Sequence, residues 1–88
     1  MKTIELNLTH IHTVRALHIY MQYMLDLPPY YGRNLDALHD VLTEARILNL
    51  RIVTGKDTSP EMAAYLPRLA RVLEDAAREN ESLSVEWI

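Results

Sequence analysis

The chain has no cysteine among its 88 residues, so no disulfide framework can hold it together, a composition that fits a reducing compartment. It has only two glycines, too few for a glycine-rich loop that cradles a phosphate. No apolar run approaches the ~20 residues that a bilayer-spanning helix requires. Met1 is followed by no charged-then-apolar leader, and the expectation is a cytoplasmic protein that touches no membrane. Positive charge is also scarce. Nine Lys and Arg against twelve Asp and Glu leave a net charge of −3, without the basic stripe that direct nucleic-acid binding needs. An acidic protein seeks a basic partner.

What is present is enough for one core. With 49% hydrophobic and 24% charged residues, the sequence predicts a single globular domain over residues 1–88, able to bury roughly 60% of its unfolded surface. Thr3 to Leu8 alternates Ile4, Leu6 and Leu8 with polar residues and reads as a strand. Thr13 caps a helix with Val14, Leu17, Met21, Met24 and Leu25 on one side and Tyr20 at its border. Leu48 to Thr54 reads as a second strand and Ser82 to Ile88 as a third. Between them Gly55 to Ser59 is a loop, Pro60 suits the first position of a short helix, and Pro67 is expected to start another that ends near Asn80. Strands separated by helices give an α/β class with a small three-stranded parallel sheet. No repeat, linker or low-complexity segment interrupts it.

The segment from Leu27 to Leu42, LPPYYGRNLDALHDVL, carries the functional signal. Pro28 and Pro29 stiffen the backbone, Gly32 offers the freedom a turn needs, and Tyr30 and Tyr31 are held at the corner. Asn34 is a favoured N-cap, so a helix is expected from Leu35 to about Ala45. Leu35, Leu38, Val41 and Leu42 fall on one face, and Asp36, His39, Asp40 and Thr43 on the other. Asp36, Asp40 and Glu44 follow at i, i+4 spacing, where like charges repel by about 0.2–0.5 kcal/mol per pair. The helix macrodipole compensates Asp36 more than the two acids further along. A solvated helix face would explain the acids alone, but not the rigid tyrosine corner beside them.

Tyr30, Tyr31, Gly32, Asn34, Leu35, Asp36, Ala37, Leu38 and Asp40, preceded by Leu27-Pro28, resemble the YYGxNLDAL hallmark of the barstar family, intracellular inhibitors of secreted ribonucleases. The likeness extends more weakly to Leu17-His18 and to Val72 through Ile88. The resemblance implies a two-layer fold and a competitive inhibitor, one per enzyme, that fills the active site of a small basic, extracellular-type, barnase-like ribonuclease. Its carboxylates would stand where RNA phosphates bind. Charge-assisted bonds between carboxylates and arginines supply the chemistry for that substitution. By the same resemblance Asp40 would enter the phosphate pocket, Asp36 would meet a flanking cation and Tyr30 would pack on the enzyme rim. Gly32, Asn34 and Thr43 would add backbone or polar contacts, and Asp75 and Glu79 would form outer acidic contacts diluted by Arg71 and Arg78. His39 stands where the family pattern has a tryptophan, Arg33 where it has an acid, and Ala45 where it has another aromatic. The expected contact face is less aromatic and less acidic, and the cognate enzyme correspondingly different at its rim.

Other chemistry is weaker. His10 and His12 could begin a metal site, but two ligands do not make one, and a solvated pair at a strand end accounts for them. His18 lies in an apolar stripe and reads as a hydrogen-bonded core histidine. His39 between Asp36 and Asp40 could serve as an acid–base centre, yet no nucleophile stands near it in a recognisable motif, so no enzyme, cofactor or metal is expected. The alternative that keeps the fold is an immunity or regulatory binding module for a non-nuclease basic protein.

Overall fold

The structure is a computed structural model that describes residues 2–55 and 58–88. Its elements run β1 (Lys2–Asn7), α1 (Val14–Met24), α2 (Leu35–Thr43), β2 (Leu48–Val53), α3 (Pro60–Glu79) and β3 (Leu83–Trp87). The three strands form a parallel sheet in the order β1-β2-β3. Register sets Ile4 beside Leu50 and Leu50 beside Val85, so one apolar row crosses the sheet under the helices. Leu6, Leu50, Ile52 and Leu83 are buried there against Leu17 and Met21 of α1, Leu38 and Leu42 of α2, and Met62, Leu69 and Leu73 of α3.

Parallel sheets are usually covered on both faces. Here the second face is left open because its side chains are mostly polar: Thr3, Asn49 and Ser84 share one row, and Glu5, Arg51 and Glu86 the next. Arg51 thus lies between two acids, its Nε 3.5 Å from Glu86 Oε2. The result is the two-layer α/β arrangement expected from the sequence.

Local chemistry sets most helix ends. Thr13 Oγ1 accepts the Ala16 N–H at 3.1 Å and Asn34 Oδ1 the Ala37 N–H at 2.8 Å, both at predicted caps, while Ser59 Oγ, read from the sequence only as the end of a loop, accepts the Met62 N–H at 3.2 Å just before the expected Pro60. At the end of α1 the Leu27 N–H reaches Gln22 O and the Asp26 N–H reaches Tyr23 O, the paired bonds of a Schellman stop, with Asp26 in the left-handed region at φ 51°. The strands begin or end within a residue of expectation; Leu8, just past β1, stays buried and donates its N–H to Val53 O. The expected loop at 55–59 includes residues 56 and 57, which lie outside the described residues.

Pro67 is a correction. No second helix starts there; α3 runs unbroken from Pro60 to Glu79 with Pro67 inside it. Its ring and the residue four before it, Ala63, are both solvent-exposed, while Met62, Leu69, Leu73 and Ala76 form one buried stripe on both sides of the proline. A proline inside a helix costs about 3 kcal/mol, from the lost hydrogen bond and the crowding of the preceding turn. Burying Leu69 and Leu73 beyond it returns about 1.5–3 kcal/mol each, so continuous packing outweighs the break.

Candidate functional site

The tandem tyrosines of the corner divide the work between them. Tyr31 turns inward and is 6% exposed, whereas Tyr30 turns outward and is 87% exposed. Tyr31 Oη lies 2.8 Å from His18 Nδ1, and Tyr65 Oη of α3 lies 2.7 Å from His18 Nε2. The corner is therefore bolted through one buried imidazole to two helices. A neutral imidazole has one donor and one acceptor nitrogen, so one tyrosine donates to His18 and the other accepts from it. Burial lowers the His18 pKa below its usual value, keeping the ring neutral. It raises both tyrosines, Tyr31 further than Tyr65, whose shift the nearby Arg68 partly opposes.

Further bonds fix the outer part of the corner. Gln22 of α1 donates from Nε2 to Pro28 O at 3.0 Å and accepts Arg33 Nε–H at 3.1 Å. Arg33, not Gly32, holds the left-handed conformation, at φ 53°, and no glycine has a positive φ among the described residues. The freedom expected of Gly32 is not used; its value is space. A Cβ there would meet Asn34 Nδ2 at 3.2 Å and Ala37 Cβ at 3.3 Å, crowding the amide that donates to Gly32 O.

From this corner α2 carries its two faces as patterned. Leu38 and Leu42 are buried, and Asp36, Asp40 and Glu44 are exposed. Among the described residues no lysine or arginine lies within salt-bridge distance of these three acids. Thr43 is half-buried and turns its hydroxyl back to Asp40 O at 2.9 Å. The helix stops at Thr43, short of the expected Ala45, because Asn80 of the α3 terminus donates to both Leu42 O and Ala45 O, at 2.9 and 3.0 Å.

The acids expected on α3 are less free. Glu79 Oε2 is 2.9 Å from His39 Nε2, which brings these two predicted residues together across the α2–α3 seam. His39 Nδ1 is 4.0 Å from Asp40 Oδ1, so its close partner is Glu79 and not the aspartates of its own helix. Asp75 is bound to Arg78 at 3.3 Å. Tyr30, Asp36, His39, Asp40 and Glu79 thus have their polar or aromatic ends outside the core, next to a rigid corner. His10 and His12 are exposed, and the described residues hold no group of three or more side chains able to ligate a metal.

Sequence reasoning missed the parts played by Gln22, Tyr65 and Asn80. Only Asn80 left a local signal, as a helix-end residue. Such a face can meet a basic surface through preorganised carboxylates and an aromatic edge.

Comparison with known proteins gives the same direction. The profile of the Barstar family, described as "Barstar (barnase inhibitor)", matches residues 1–87. A protein of Bacillus subtilis (strain 168) named "Putative ribonuclease inhibitor YrdF" is 32% identical over 81 residues, covering 90% of this chain and 89% of its own length. With the family pattern matched over residues 1–87 and the hallmark turn, α2 and parallel sheet all in place, this chain belongs to the barstar family.

Proposed function

We propose that this chain, acting as one domain over residues 1–88, is a cytoplasmic protein inhibitor of the antitoxin or immunity kind. It closes the active site of a small basic, barnase-like ribonuclease in a 1:1 complex. The observation that carries the reading is the acidic edge of α2, where Asp36, Asp40 and Glu44 stand exposed beside the exposed Tyr30, with no arginine or lysine paired to them among the described residues. A ribonuclease must gather cations to hold a polyanion, and a helix that repeats carboxylates every turn offers those cations a substitute for phosphates. The His18 bolt and the Asn80 clasp hold that edge in place before binding, which lowers the entropy cost of association. Asp40 takes the central place, Asp36 and Tyr30 flank it, Gly32, Asn34 and Thr43 shape the backbone around it, and Glu79 and Asp75 lie outermost.

Pairing of His39 with Glu79 and of Arg78 with Asp75 favours a second reading. A narrower acidic face suits a barstar-like immunity or regulatory module whose basic client is not a nuclease.

Inhibition of barnase by the wild type and by Asp40→Ala tests the first reading. Removing one partner of a buried charge pair costs at least ~2 kcal/mol, a size established on the barnase–barstar pair itself and adopted here. Asp40→Ala should keep its stability, because it also relieves repulsion from Asp36 and Glu44. Inhibition constants within threefold of each other would remove Asp40 from the centre. Recovery of a basic protein without ribonuclease activity, by wild type but not by an Asp36→Ala/Asp40→Ala variant, would favour the second reading.

A further inference from the structure

Beside the acidic edge of α2 lies an open groove of about 600 Å³. Its floor is Ile4 of β1, Leu25 and Leu27 from the turn after α1, Val41 of α2 and Leu48 of β2, all only partly covered by the fold. Ile47 stands at its edge and is 60% exposed. β1 is an edge strand of the sheet, and among the described residues no fourth strand pairs with it. Ala45, held in place by Asn80, presents only a methyl group to it.

Tyr30 and Asp40 line this groove as well as the proposed binding face, and Glu44 joins them on the α2 side, with Lys2 and Arg46 near the β1 edge. An apolar floor ringed by charged and aromatic side chains has the anatomy of an interface anchor site, in which the rim excludes water from one buried side chain. We infer that the groove receives an aromatic or long aliphatic side chain of the ribonuclease, carried next to the cations that meet Asp40. This rests on the inhibitor reading and adds to it an apolar determinant of partner choice.

Charge decides the occupant. A basic enzyme drawn onto Asp36 and Asp40 is brought directly over the groove, because Asp40 belongs to both. A second copy of this chain seated symmetrically here would set Asp40 and Glu44 against their own counterparts, and the net charge of −3 opposes such a pairing.

The probe is a small basic ribonuclease that the wild type inhibits, taken from a panel of such enzymes that includes barnase. Dissociation constants are measured for the wild type, Asp40→Ala, Ile47→Ser and Ala45→Trp, with melting temperatures to establish folding and sedimentation to establish mass. In the wild-type complex, methyl NMR looks for contacts from Ile4, Val41 and Ile47 to enzyme side chains, a readout that needs no variant. Intermolecular methyl contacts, with binding weakened tenfold or more by both Ile47→Ser and Ala45→Trp, are the expected result. If Asp40→Ala weakens binding while the two groove variants stay within threefold and the methyls show no contact, the groove proposal fails and the inhibitor reading stands. Tighter binding by Ala45→Trp would mean that the inhibitor supplies the ring at this position, which also overturns it. A wild-type dimer dispersed by Ile47→Ser would reassign the groove to self-association. A wild type that binds no ribonuclease of the panel would overturn the proposal together with the reading on which it rests.

Discussion

His39 of α2 and Glu79 of α3 meet at 2.9 Å, Nε2 to Oε2, across the seam between the two helices. Both are partly open to water, so the contact has the modest stability of a surface pair, between about 0 and 1 kcal/mol. Its larger effect is on geometry. It commits a side chain in the middle of the α2 face to the end of α3, and it takes from Glu79 the freedom to act as an isolated carboxylate.

Binding effects of His39 and Glu79 should therefore be coupled. In a double-mutant cycle with His39→Ala and Glu79→Ala, the losses in affinity for a ribonuclease should depart from additivity by at least ~0.5 kcal/mol, as expected for residues in contact. Denaturant midpoints of the same variants should scarcely move. Additive dissociation constants would mean that the two residues meet the enzyme independently.

The buried His18 makes a different prediction, one about acid. Its folded pKa lies below the usual value near 6.5 because burial disfavours the charged ring. The unfolded chain then binds more protons than the folded one at pH values between the folded pKa and about 6.5. Stability is full above that window and falls as pH drops through it, at a limiting slope of about 1.4 kcal/mol per pH unit for this one group. Urea midpoints from pH 7.5 to 5 should show the decline. His18→Gln should be less stable at pH 7.5, since it disturbs the bonds to Tyr31 and Tyr65, and shallower in its decline. Parallel wild-type and His18→Gln curves would assign the acid sensitivity elsewhere.

Thr13 and Asn34 cap their helices as read from the sequence because a cap joins groups only three residues apart. The apolar alternation that marked the strands likewise follows local spacing. Pro67 misled because its local penalty is set against a buried stripe that becomes apparent only when α3 packs on the other elements. Nothing in the repeated tyrosines says which one turns inward; that choice belongs to His18, thirteen residues before Tyr31. The acids of α2 were legible on a helical wheel. The pairing of Glu79 with His39 was not, since it joins two helices separated by a strand. Gly32 was correctly placed in the turn but for another physical reason: a Cβ there would crowd Asn34 and Ala37, and Arg33 takes the unusual backbone angle.

Asn80 holds the C-terminal end of α2 by donating to Leu42 O and Ala45 O, and accepts the Ser82 N–H at 3.0 Å. Asn80→Ala removes all three bonds, takes from Ala45 O its side-chain donor and leaves Leu42 O to backbone donors such as the Ala45 N–H at 3.2 Å. A loss of about 1–3 kcal/mol is expected, which is roughly 4–8 °C in melting temperature per kcal/mol for a domain of this size. Asn80→Asp should be nearly as harmful, because it keeps the acceptor for Ser82 but replaces the amide donor with a second acceptor. A calorimetric melting temperature unchanged in either variant would show that solvent satisfies these groups equally well.

Association with a basic ribonuclease should be fast and should slow steeply with salt. His39 and Arg78 engage Glu79 and Asp75, the two acids of α3 proposed for the binding face, so the field that draws in the enzyme comes chiefly from Asp36 and Asp40 of α2 and Glu44 at its C-terminal cap. Steering by such a patch acts over the approach, where each charge is screened within ~8 Å at physiological ionic strength and only ~3 Å at 1 M. Once the complex has formed, the same carboxylates sit against their partners with water excluded and are screened much less. The on-rate measured by stopped flow should therefore drop by at least about tenfold between low and high salt, while the off-rate changes little. Asp36→Ala, Asp40→Ala and Glu44→Ala should each flatten the salt dependence of the on-rate. Glu44→Ala should spare the off-rate most, because Glu44 lies at the edge of the proposed face. An on-rate that does not respond to salt would rule out electrostatic capture by α2, even if the complex itself proved tight.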